Sequence, residues 1–378
     1  MYPRLPDGDT RVTQAAVDRF FMKRALRLAA KGVGTTHPNP MVGAVLVSGG
    51  SVIGEGWHEL PGKPHAEVLS IDQAGRRAAG ATMYVNLEPC SHYGRTPPCT
   101  DRIIQAGISR LVAGCRDPNP DVNGKGFETL ERAGIEVSEG LLDEEARELN
   151  RAFFHYVANG IPYVTLKTAM SLDGRIATSS GESRWITGKG SRRAAHRLRS
   201  NADAVLVGVG TVLVDNPELT VRAVRSKVLP WRIILDPSLR TPLTSRVVVR
   251  GEDGKTIIVV DERIAEKRAK AFTDVGTRLM MLPTEGGLFS WPSLGKRLVG
   301  EGIIHLMVEG GGKTAAWFVG EGAVCRIEAF VAPVMIGSEG VAAMGPLALE
   351  ALGDAARFDV VRCRRVGGDV RITADRCL

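Results

Sequence analysis

The sequence predicts an α/β protein of two domains, and three observations support this. The chain has 378 residues, of which 44% are hydrophobic and 24% are charged, which suffices for two or three ordinary soluble cores. Short apolar stretches typical of buried strands alternate with stretches of helical periodicity. The segment Ala158-Asn159-Gly160-Ile161-Pro162 interrupts this alternation with helix-ending residues. We therefore expect domains over residues 12–157 and 161–378.

The first predicted domain is an α/β sandwich, in which a mixed sheet lies between layers of helices. Ser48-Gly49-Gly50 predicts a tight turn between two strands, and the stretch 141–157 predicts one long helix at the end of the domain. The predicted helices are 18–31, 65–74, 100–106, 126–133 and 141–157, and the predicted strands are 41–47, 51–57, 81–87, 110–114 and 135–138.

The second predicted domain is one open α/β sheet with an antiparallel edge formed by its last two strands. The basic stretch 191–199 predicts a helix with a charged face. The predicted strands are 163–168, 204–207, 231–235, 246–249, 256–260, 302–308, 326–332 and 358–364, and a helix is predicted over 315–320.

A candidate catalytic metal site is formed by His65, Cys90 and Cys99. One imidazole and two thiolates can hold a zinc ion and leave the fourth tetrahedral position open, which distinguishes a catalytic zinc site from a closed structural one. Glu67 follows the histidine by two residues, where it can transfer protons. The order H-x-E, then P-C, then a second cysteine is typical of zinc-dependent nucleobase deaminases, although these two cysteines are farther apart than in P-C-x-x-C.

Other interpretations of these residues stay open. A lone His-x-Glu pair is common, and free cysteines are usually small buried hydrophobic residues. His92 lies between the two cysteines, and as a fourth protein ligand it would make the site structural. One rival hypothesis is therefore a structural zinc module joined to a nucleotide-binding regulatory domain, and another is a deaminase that acts on bases in nucleic acid.

A second candidate site is the glycine-rich segment Glu309-Gly310-Gly311-Gly312-Lys313-Thr314, which follows a predicted strand and precedes a predicted helix. Glycines at such a junction let backbone N–H groups approach a phosphate at the helix N-terminus. The segment is not a P-loop, because Met307 stands where that motif requires glycine, and Ala315 breaks the G-x-G-x-x-G spacing. Since plain turns also use glycine freely, a phosphate site and a turn remain alternatives.

Longer motifs resemble a known family. The segment 89–99 (PCSHYGRTPPC) is similar to the zinc loop of the riboflavin-biosynthesis pyrimidine deaminases, the segment 37–43 (HPNPMVG) resembles their substrate loop, and 167–174 (KTAMSLDG) lies downstream. From about residue 12 to its C-terminus, the chain resembles the bifunctional diaminohydroxyphosphoribosylaminopyrimidine deaminase/5-amino-6-(5-phosphoribosylamino)uracil reductases. The resemblance implies a cytidine-deaminase-like α/β/α sandwich followed by a dihydrofolate-reductase-like α/β domain, with one zinc ion and NADPH as cofactors.

The resemblance also implies residue roles. In the first domain it implies Glu67 as the catalytic residue, the three zinc ligands already named, and Asn39 as a substrate contact, since an amide can pair with a pyrimidine edge. The implied cofactor contacts of the second domain are Ala169, Trp185, Thr211, Asp215, Gly311, Gly312, Lys313, Thr314, Ala315, Ala316 and Trp317. The implied substrate contacts there are Ser183, Arg199, Leu219, Arg222 and Glu309.

The two arginines in that set suit a ribose phosphate, because a guanidinium gives bidentate contacts; without the resemblance each would be an exposed surface charge. The implied reactions are hydrolytic deamination of 2,5-diamino-6-(5-phosphoribosylamino)pyrimidin-4-one and then NADPH-dependent reduction of the ribosyl chain to the ribityl chain. The cofactor supplies most of the chemistry of hydride transfer. The proton donor of that step stays open between Lys167 and Glu309, and Asp173 predicts a turn.

Composition sets the expected partners and location. The net charge is +7, but the basic residues are scattered and only 5% of residues are aromatic, so we expect a small anionic ligand and no nucleic acid. The resemblance implies that this ligand is a small phosphorylated pyrimidine. No apolar run is long enough for a membrane span, and the N-terminus lacks the apolar segment of a signal peptide. We therefore expect no membrane association, a cytoplasmic location and a homo-oligomer.

Overall fold

The computed structural model describes residues 13–93, 97–249 and 253–377. The chain forms two compact units, and the division falls between Ala158 and Asn159. The first twelve residues, which we expect to form a short disordered leader over residues 1–10, and the zinc-loop residues Gly94, Arg95 and Thr96 lie outside the described residues.

The first unit has a five-stranded mixed sheet in the order β2-β1-β3-β4-β5. β1 pairs antiparallel with both β2 and β3, whereas β3, β4 and β5 run parallel. The strands are β1 (Gly43–Ser48), β2 (Ser51–Trp57), β3 (Thr82–Leu87), β4 (Arg110–Cys115) and β5 (Glu136–Ser138). The helices are α1 (Gln14–Ala29), α2 (Ala66–Ala74), α3 (Cys99–Gln105), α4 (Lys125–Arg132), α5 (Asp143–Leu149) and α6 (Arg151–Asn159).

Strand periodicity explains why helices cover both faces of this sheet. Successive strand side chains point to opposite faces. Ala44 and Leu46 of β1 pack with helices α2, α3 and α4, whereas Val45 and Val47 pack with α1. Because both faces are apolar, both are buried, and the unit is the α/β/α sandwich that the sequence predicts.

Glu88 connects the end of β3 to the start of α4. Its carboxylate is buried and accepts hydrogen bonds from three backbone N–H groups, those of Asp117 at 3.2 Å, Gly124 at 2.9 Å and Gly126 at 2.9 Å. Two of these N–H groups belong to the N-terminus of α4, where helical N–H groups lack intrahelical partners and favour negative charge. Glu88, which directly follows β3, therefore caps the N-terminus of α4 with its side chain.

The single helix predicted over 141–157 is wrong, because Asn150 separates α5 from α6. The Asn150 side chain is turned to the backbone of Met41: its Oδ1 accepts from the Met41 N–H at 2.7 Å and its Nδ2 donates to the Met41 carbonyl at 3.0 Å. These two hydrogen bonds tie a buried amide to a distant loop, which helical periodicity alone cannot reveal.

The second unit has a nine-stranded sheet in the order β11-β10-β9-β8-β14-β6-β15-β18-β17. The first seven strands in this order are parallel, and β18 and β17 form an antiparallel edge. The strands of this unit are β6 (Tyr163–Ser171), β7 (Arg175–Ala177), β8 (Ala204–Gly208), β9 (Trp231–Leu235), β10 (Thr256–Asp261), β11 (Arg278–Leu282), β12 (Thr284–Glu285), β13 (Leu288–Phe289), β14 (His305–Val308), β15 (Val324–Ala332), β16 (Val341–Ala342), β17 (Phe358–Val366) and β18 (Asp369–Arg376). The helices are α7 (Lys189–Asn201), α8 (Val209–Asp215), α9 (Arg246–Val249), α10 (Glu266–Thr273), α11 (Trp291–Gly300) and α12 (Gly312–Gly320).

The helices that follow two neighbouring strands of this sheet lie on opposite faces. Val209 and Val212 of α8, which follows β8, belong to one apolar cluster. Ala315 and Phe318 of α12, which follows β14, belong to the cluster on the other face. Because β8 and β14 are adjacent, the chain reverses its winding direction between them, and open α/β sheets bind ligands in the crevice at such a switch point.

The strand predicted over residues 246–249 is wrong, because Arg246–Val249 forms one helical turn, α9. Val247 and Val248 are consecutive, yet both are buried in the same apolar cluster. A strand would direct them to opposite faces, whereas a helical turn lets both pack on the same side. Among the described residues, no helix is both long and apolar enough to span a membrane.

Substitution of Glu88 by alanine is expected to destabilise the first unit by about 3 kcal/mol, because three buried N–H groups lose a charged acceptor. Hydrogen-exchange mass spectrometry on the full chain should show faster exchange in peptides covering residues 116–126. Glu128→Ala on the same helix is the control, since that side chain is 63% exposed and pairs only with Arg132. Unchanged exchange in Glu88→Ala would contradict the capping role.

Candidate functional site

Three side chains of the first unit converge at the ends of secondary structure elements. His65 is the N-cap residue of α2, Cys99 is the first residue of α3, and Cys90 follows the end of β3. Their ligand atoms all lie within 4.8 Å of one another, and no other such group of His, Cys, Asp or Glu is found in the described part of the chain. His92 is exposed and is not a member of this group.

The dimensions of this cluster fit a tetrahedral zinc ion. The Nδ1 atom of His65 lies 3.2 Å from Sγ of Cys99 and 3.6 Å from Sγ of Cys90. Zinc bonds of about 2.1 Å to nitrogen and 2.3 Å to sulfur would place such atoms about 3.6 Å apart at tetrahedral angles. Three protein ligands leave one coordination position open, which favours the catalytic over the structural type of zinc site.

The surroundings of Cys90 favour the thiolate form of its side chain. Hydrogen bonds from the Cys99 thiol, and also from His65 and the Cys99 backbone N–H, outweigh burial and lower the pKa of Cys90 to about 4. The hydrogen bond to Cys90 and burial raise the pKa of Cys99. The second thiol is therefore protonated without metal, and metal binding displaces its proton.

Glu67 lies beside these ligands in the first turn of α2. Its side chain is 3% exposed, and its Oε2 atom is buried without a hydrogen-bond partner. Burial raises the pKa of Glu67, against an opposing attraction to His65. A buried carboxylate with an unpartnered oxygen is costly unless it has a function, and a raised pKa suits a group that must both accept and donate a proton.

The loop that contains Asn39 is held by two buried amides. Asn86 accepts from the Gly43 N–H at 2.8 Å and donates to the Met41 carbonyl at 2.9 Å, and Asn150 contacts both backbone groups of Met41. The Asn39 side chain is partly exposed and its Nδ2 lies 3.1 Å from Nε2 of His58. The structure thus places Asn39 in a fixed loop, in contact with a histidine that packs on His65.

In the second unit, the glycine-rich segment lies at the switch point between β8 and β14. The Gly311 N–H donates to Oγ1 of Thr211 at 3.3 Å, which joins the start of α12 to α8. A Cβ on Gly208 would lie 2.5 Å from Oγ1 of Thr314, so the end of β8 and the first turn of α12 approach closely. This brings Thr211 together with Gly311 to Thr314 at one crevice, with the N-terminus of α12 at its edge.

Side chains further along α12 point into the core. Ala315 and Ala316 are buried, and Trp317 packs against the apolar cluster on that face, so contact with a ligand is left to the first turn. The first N–H groups of a helix have no intrahelical acceptor and attract anions. A Cβ on Gly312 would lie 2.5 Å from the Ala342 carbonyl oxygen, so this turn is closely packed.

Glu309, Arg199 and Lys167 form a buried charge cluster next to this crevice. Arg199 donates to both Glu309 oxygens, at 2.6 and 2.8 Å, and Nζ of Lys167 lies 3.7 Å from Oε2. Burial opposes ionisation of Glu309, but attraction to Arg199 and Lys167 prevails and lowers its pKa to about 2. Burial lowers the pKa of Lys167, with Glu309 opposing.

The other predicted residues of the second unit differ in exposure. Ser183 donates to Oδ1 of Asp215 at 3.4 Å, which brings these two together. Trp185 is 70% exposed, with the Arg192 guanidinium 4.3 Å from its ring centroid.

The remaining predicted contacts lie on other elements of this unit. Ala169 lies on β6, which pairs with β15. Arg222 is half exposed and contacts Glu218, and the buried Leu219 side chain belongs to an apolar cluster, so only its backbone is left for a ligand.

Arg199 is held by protein contacts, and its role as a phosphate contact stays a prediction. Its guanidinium is committed to Glu309 and, through a third hydrogen bond of 2.9 Å, to the Thr220 carbonyl. Asp173 is a turn residue, as the sequence predicts: it accepts from Ser171 and from the Ile336 and Gly337 N–H groups. Sequence reasoning missed His58 and Glu88, and the signal available for Glu88 was its position directly before Pro89-Cys90.

Two family models match the chain. Residues 15–115 match the cytidine and deoxycytidylate deaminase zinc-binding region, and residues 162–372 match the RibD C-terminal domain. The riboflavin biosynthesis protein RibD of Aquifex aeolicus is 47% identical over 94% of this chain and 98% of its own length. RibD of Escherichia coli is 40% identical over 93% of this chain and 98% of its own length.

Solved structures agree over the whole chain. Acinetobacter baumannii RibD, form 1, has a TM-score of 0.87 at 35% identity, covering 97% of this chain and 100% of that one. The diaminohydroxyphosphoribosylaminopyrimidine deaminase/5-amino-6-(5-phosphoribosylamino)uracil reductase of Thermotoga maritima has a TM-score of 0.85 at 36% identity, with the same two coverages.

Proposed function

This chain belongs to the RibD family of bifunctional deaminase/reductase enzymes of riboflavin biosynthesis, and from that premise we propose how its own residues divide the two reactions. The first unit deaminates the phosphorylated diaminopyrimidine, and the second reduces the ribosyl chain of the product with NADPH. The observation that most supports the assignment of the deaminase residues is the unpartnered, buried Glu67 carboxylate beside a three-ligand cluster.

His65, Cys90 and Cys99 hold the zinc ion in this proposal, and when bound it supplies an activated water and Lewis acidity. Glu67 moves the protons. Its Oε2 accepts one proton from water and delivers it to the ring nitrogen; it then accepts the second proton from the hydroxyl added to the ring carbon and delivers it to the amine, which departs as ammonia. The raised pKa of Glu67 brings its acid and base forms closer in energy, which suits this double role. Asn39 pairs with an edge of the pyrimidine ring.

In the second unit, the first turn of α12 holds the phosphates of NADPH, with Thr211 and Asp215 on the facing helix. NADPH supplies the hydride. The contacts favour Lys167 over Glu309 as the group that protonates the ribose ring oxygen. Glu309 is held ionised by two cations and has a pKa of about 2, so it has no proton to donate near neutral pH. We assign the proton to the Lys167 ammonium, whose pKa burial lowers, with Glu309 and Arg199 positioning it.

The expected homo-oligomer and the cytoplasmic location stay predictions. Support for an oligomer comes from β17, the outer strand of the antiparallel edge, where Val360 and Val361 are 64% and 53% exposed. The register of β17 shifts between Val360 and Arg362, and the two exposed valines present apolar surface at the edge of the sheet, as expected of a strand covered by another chain.

Glu67→Gln is expected to keep its zinc and to lose deamination by about 10³-fold, because the amide cannot relay a proton. Zinc content, measured by atomic emission, and product mass would be compared with the wild type. The matched control is Asp72→Asn on the same helix, a carboxylate that is 54% exposed and pairs with Arg102. Reduction of the already deaminated substrate by Glu67→Gln should equal that of the wild type; retained deamination would refute the role.

Lys167→Met removes the proposed acid and retains a side chain of similar length. The kcat for NADPH oxidation is expected to fall about 10²-fold or more, while deamination by the same protein stays unchanged. Glu309 keeps Arg199 as its counter-ion, so the fold should survive, which thermal unfolding would check. Lys296→Met, at an exposed position on α11, is the control. An unchanged kcat would exclude Lys167 as the donor.

Gly312→Ala is expected to weaken NADPH binding about 10-fold, because the new Cβ would lie 2.5 Å from the Ala342 carbonyl oxygen and displace the first turn of α12. Calorimetric titration with NADPH measures this. Gly320→Ala at the other end of the same helix meets nothing within 4 Å and should bind as the wild type does. Equal affinities for the two variants would argue against this turn as the phosphate site.

A further inference from the structure

His58 is a buried residue of the first unit to which the two reactions assign no role. It is 3% exposed, and its ring packs edge-on against the ring of His65, with centroids 5.2 Å apart. Both ring nitrogens have a partner. Nδ1 lies 3.4 Å from the Pro64 carbonyl oxygen, and Nε2 lies 3.1 Å from Nδ2 of Asn39.

These two contacts determine which nitrogen of His58 has the proton. His58 is buried, and the partners of its two ring nitrogens are a carbonyl and an amide. A buried imidazolium without a counter-ion is costly, so the ring is neutral and has one donor and one acceptor. A carbonyl oxygen can only accept, so Nδ1 is the donor. Nε2 must then accept, and the group of Asn39 that faces it must be the NH₂ donor.

The orientation of the Asn39 amide follows from this tautomer. If the amide were reversed, its oxygen would face the lone pair of Nε2, and two acceptors would repel each other. The backbone around Asn39 is also fixed, since its N–H donates to the Thr36 carbonyl at 2.8 Å and Met41 is held by two buried amides. Among the described residues, Oδ1 of Asn39 accepts no hydrogen bond. Nδ2 keeps a second N–H, but a ligand that meets Asn39 at the Oδ1 position meets an acceptor.

We infer that His58 is a positioning residue for deaminase specificity: it fixes the orientation of the Asn39 amide, so that the position occupied by Oδ1 offers the pyrimidine a hydrogen-bond acceptor and not the NH₂ donor. The inference rests on the proposed role of Asn39 as a substrate contact. A pyrimidine with an N–H at the contacted position is bound, and one with a ring acceptor there leaves two acceptors facing each other, which is the strongest form of discrimination by hydrogen bonding.

A double-mutant cycle on the zinc-loaded full chain tests this inference. His58→Asn retains a donor close to the Nδ1 position for the Pro64 carbonyl but is too short to reach Asn39. His58→Gln places an amide close to the Nε2 position and restores part of the contact. Each is made alone and with Asn39→Ala, and KM and kcat are measured for deamination of 2,5-diamino-6-(5-phosphoribosylamino)pyrimidin-4-one.

We expect His58→Asn to raise KM about 10-fold, the size of one poorly oriented hydrogen bond, with a smaller change in kcat. His58→Gln should raise KM less. In the Asn39→Ala background neither substitution should change KM by more than about 2-fold, because the amide through which His58 acts is absent. Zinc content and reduction of the deaminated substrate should be unchanged in every variant.

A merely structural His58 gives a different pattern. Substitution of such a residue would raise KM by the same factor in the wild-type and in the Asn39→Ala backgrounds. That result would overturn the inference and leave the deaminase assignment intact. If Asn39→Ala alone leaves KM unchanged, both the role of Asn39 and the inference fail. If the His58→Asn protein loses zinc, the comparison is made with His58→Gln instead, alone and combined with Asn39→Ala. Absence of deamination by the zinc-loaded wild type would instead refute the proposed function itself.

Discussion

The two large sheets of this protein are apolar on both faces over most of their strands, and this constraint decides where chemistry can occur. A polar side chain that projects from the middle of a covered strand is buried and needs a partner, as Lys167 of β6 has in Glu309. Most of the other candidate groups lie at strand ends and helix starts. His65 and Cys99 begin helices, Cys90 follows a strand, and the glycine-rich turn joins β14 to α12.

The two sites treat a buried carboxylate in opposite ways. Glu309 lies among two cations that hold it ionised, whereas Glu67 is buried with one oxygen unpartnered. The first arrangement makes a permanent anion that orients its neighbours. The second makes a group whose proton is exchanged easily. Different environments thus give the same functional group two roles, an established way for enzymes to assign acid–base chemistry.

Much of this could be predicted from sequence, and the failures have a common cause. The elements around the zinc ligands follow from strand and helix periodicity, and the ligand set follows from residue type and order. Helical periodicity did not reveal that Asn150 breaks a helix to bind Met41, because that contact joins residues 109 positions apart. The turn at Val247 and Val248 resembled a strand, because β-branched residues favour strands until packing places both on one side. His58 and Glu88 also act through distant partners.

Each site is assembled wholly within one compact unit: the three zinc ligands and Glu67 precede the division at residue 158, and the crevice residues follow it. A gene encoding either half by itself would still specify these named side chains together, and natural selection could join, separate or duplicate the halves without dividing either group. The matching of the two halves by two separate family models is the signature that such an evolutionary history would leave.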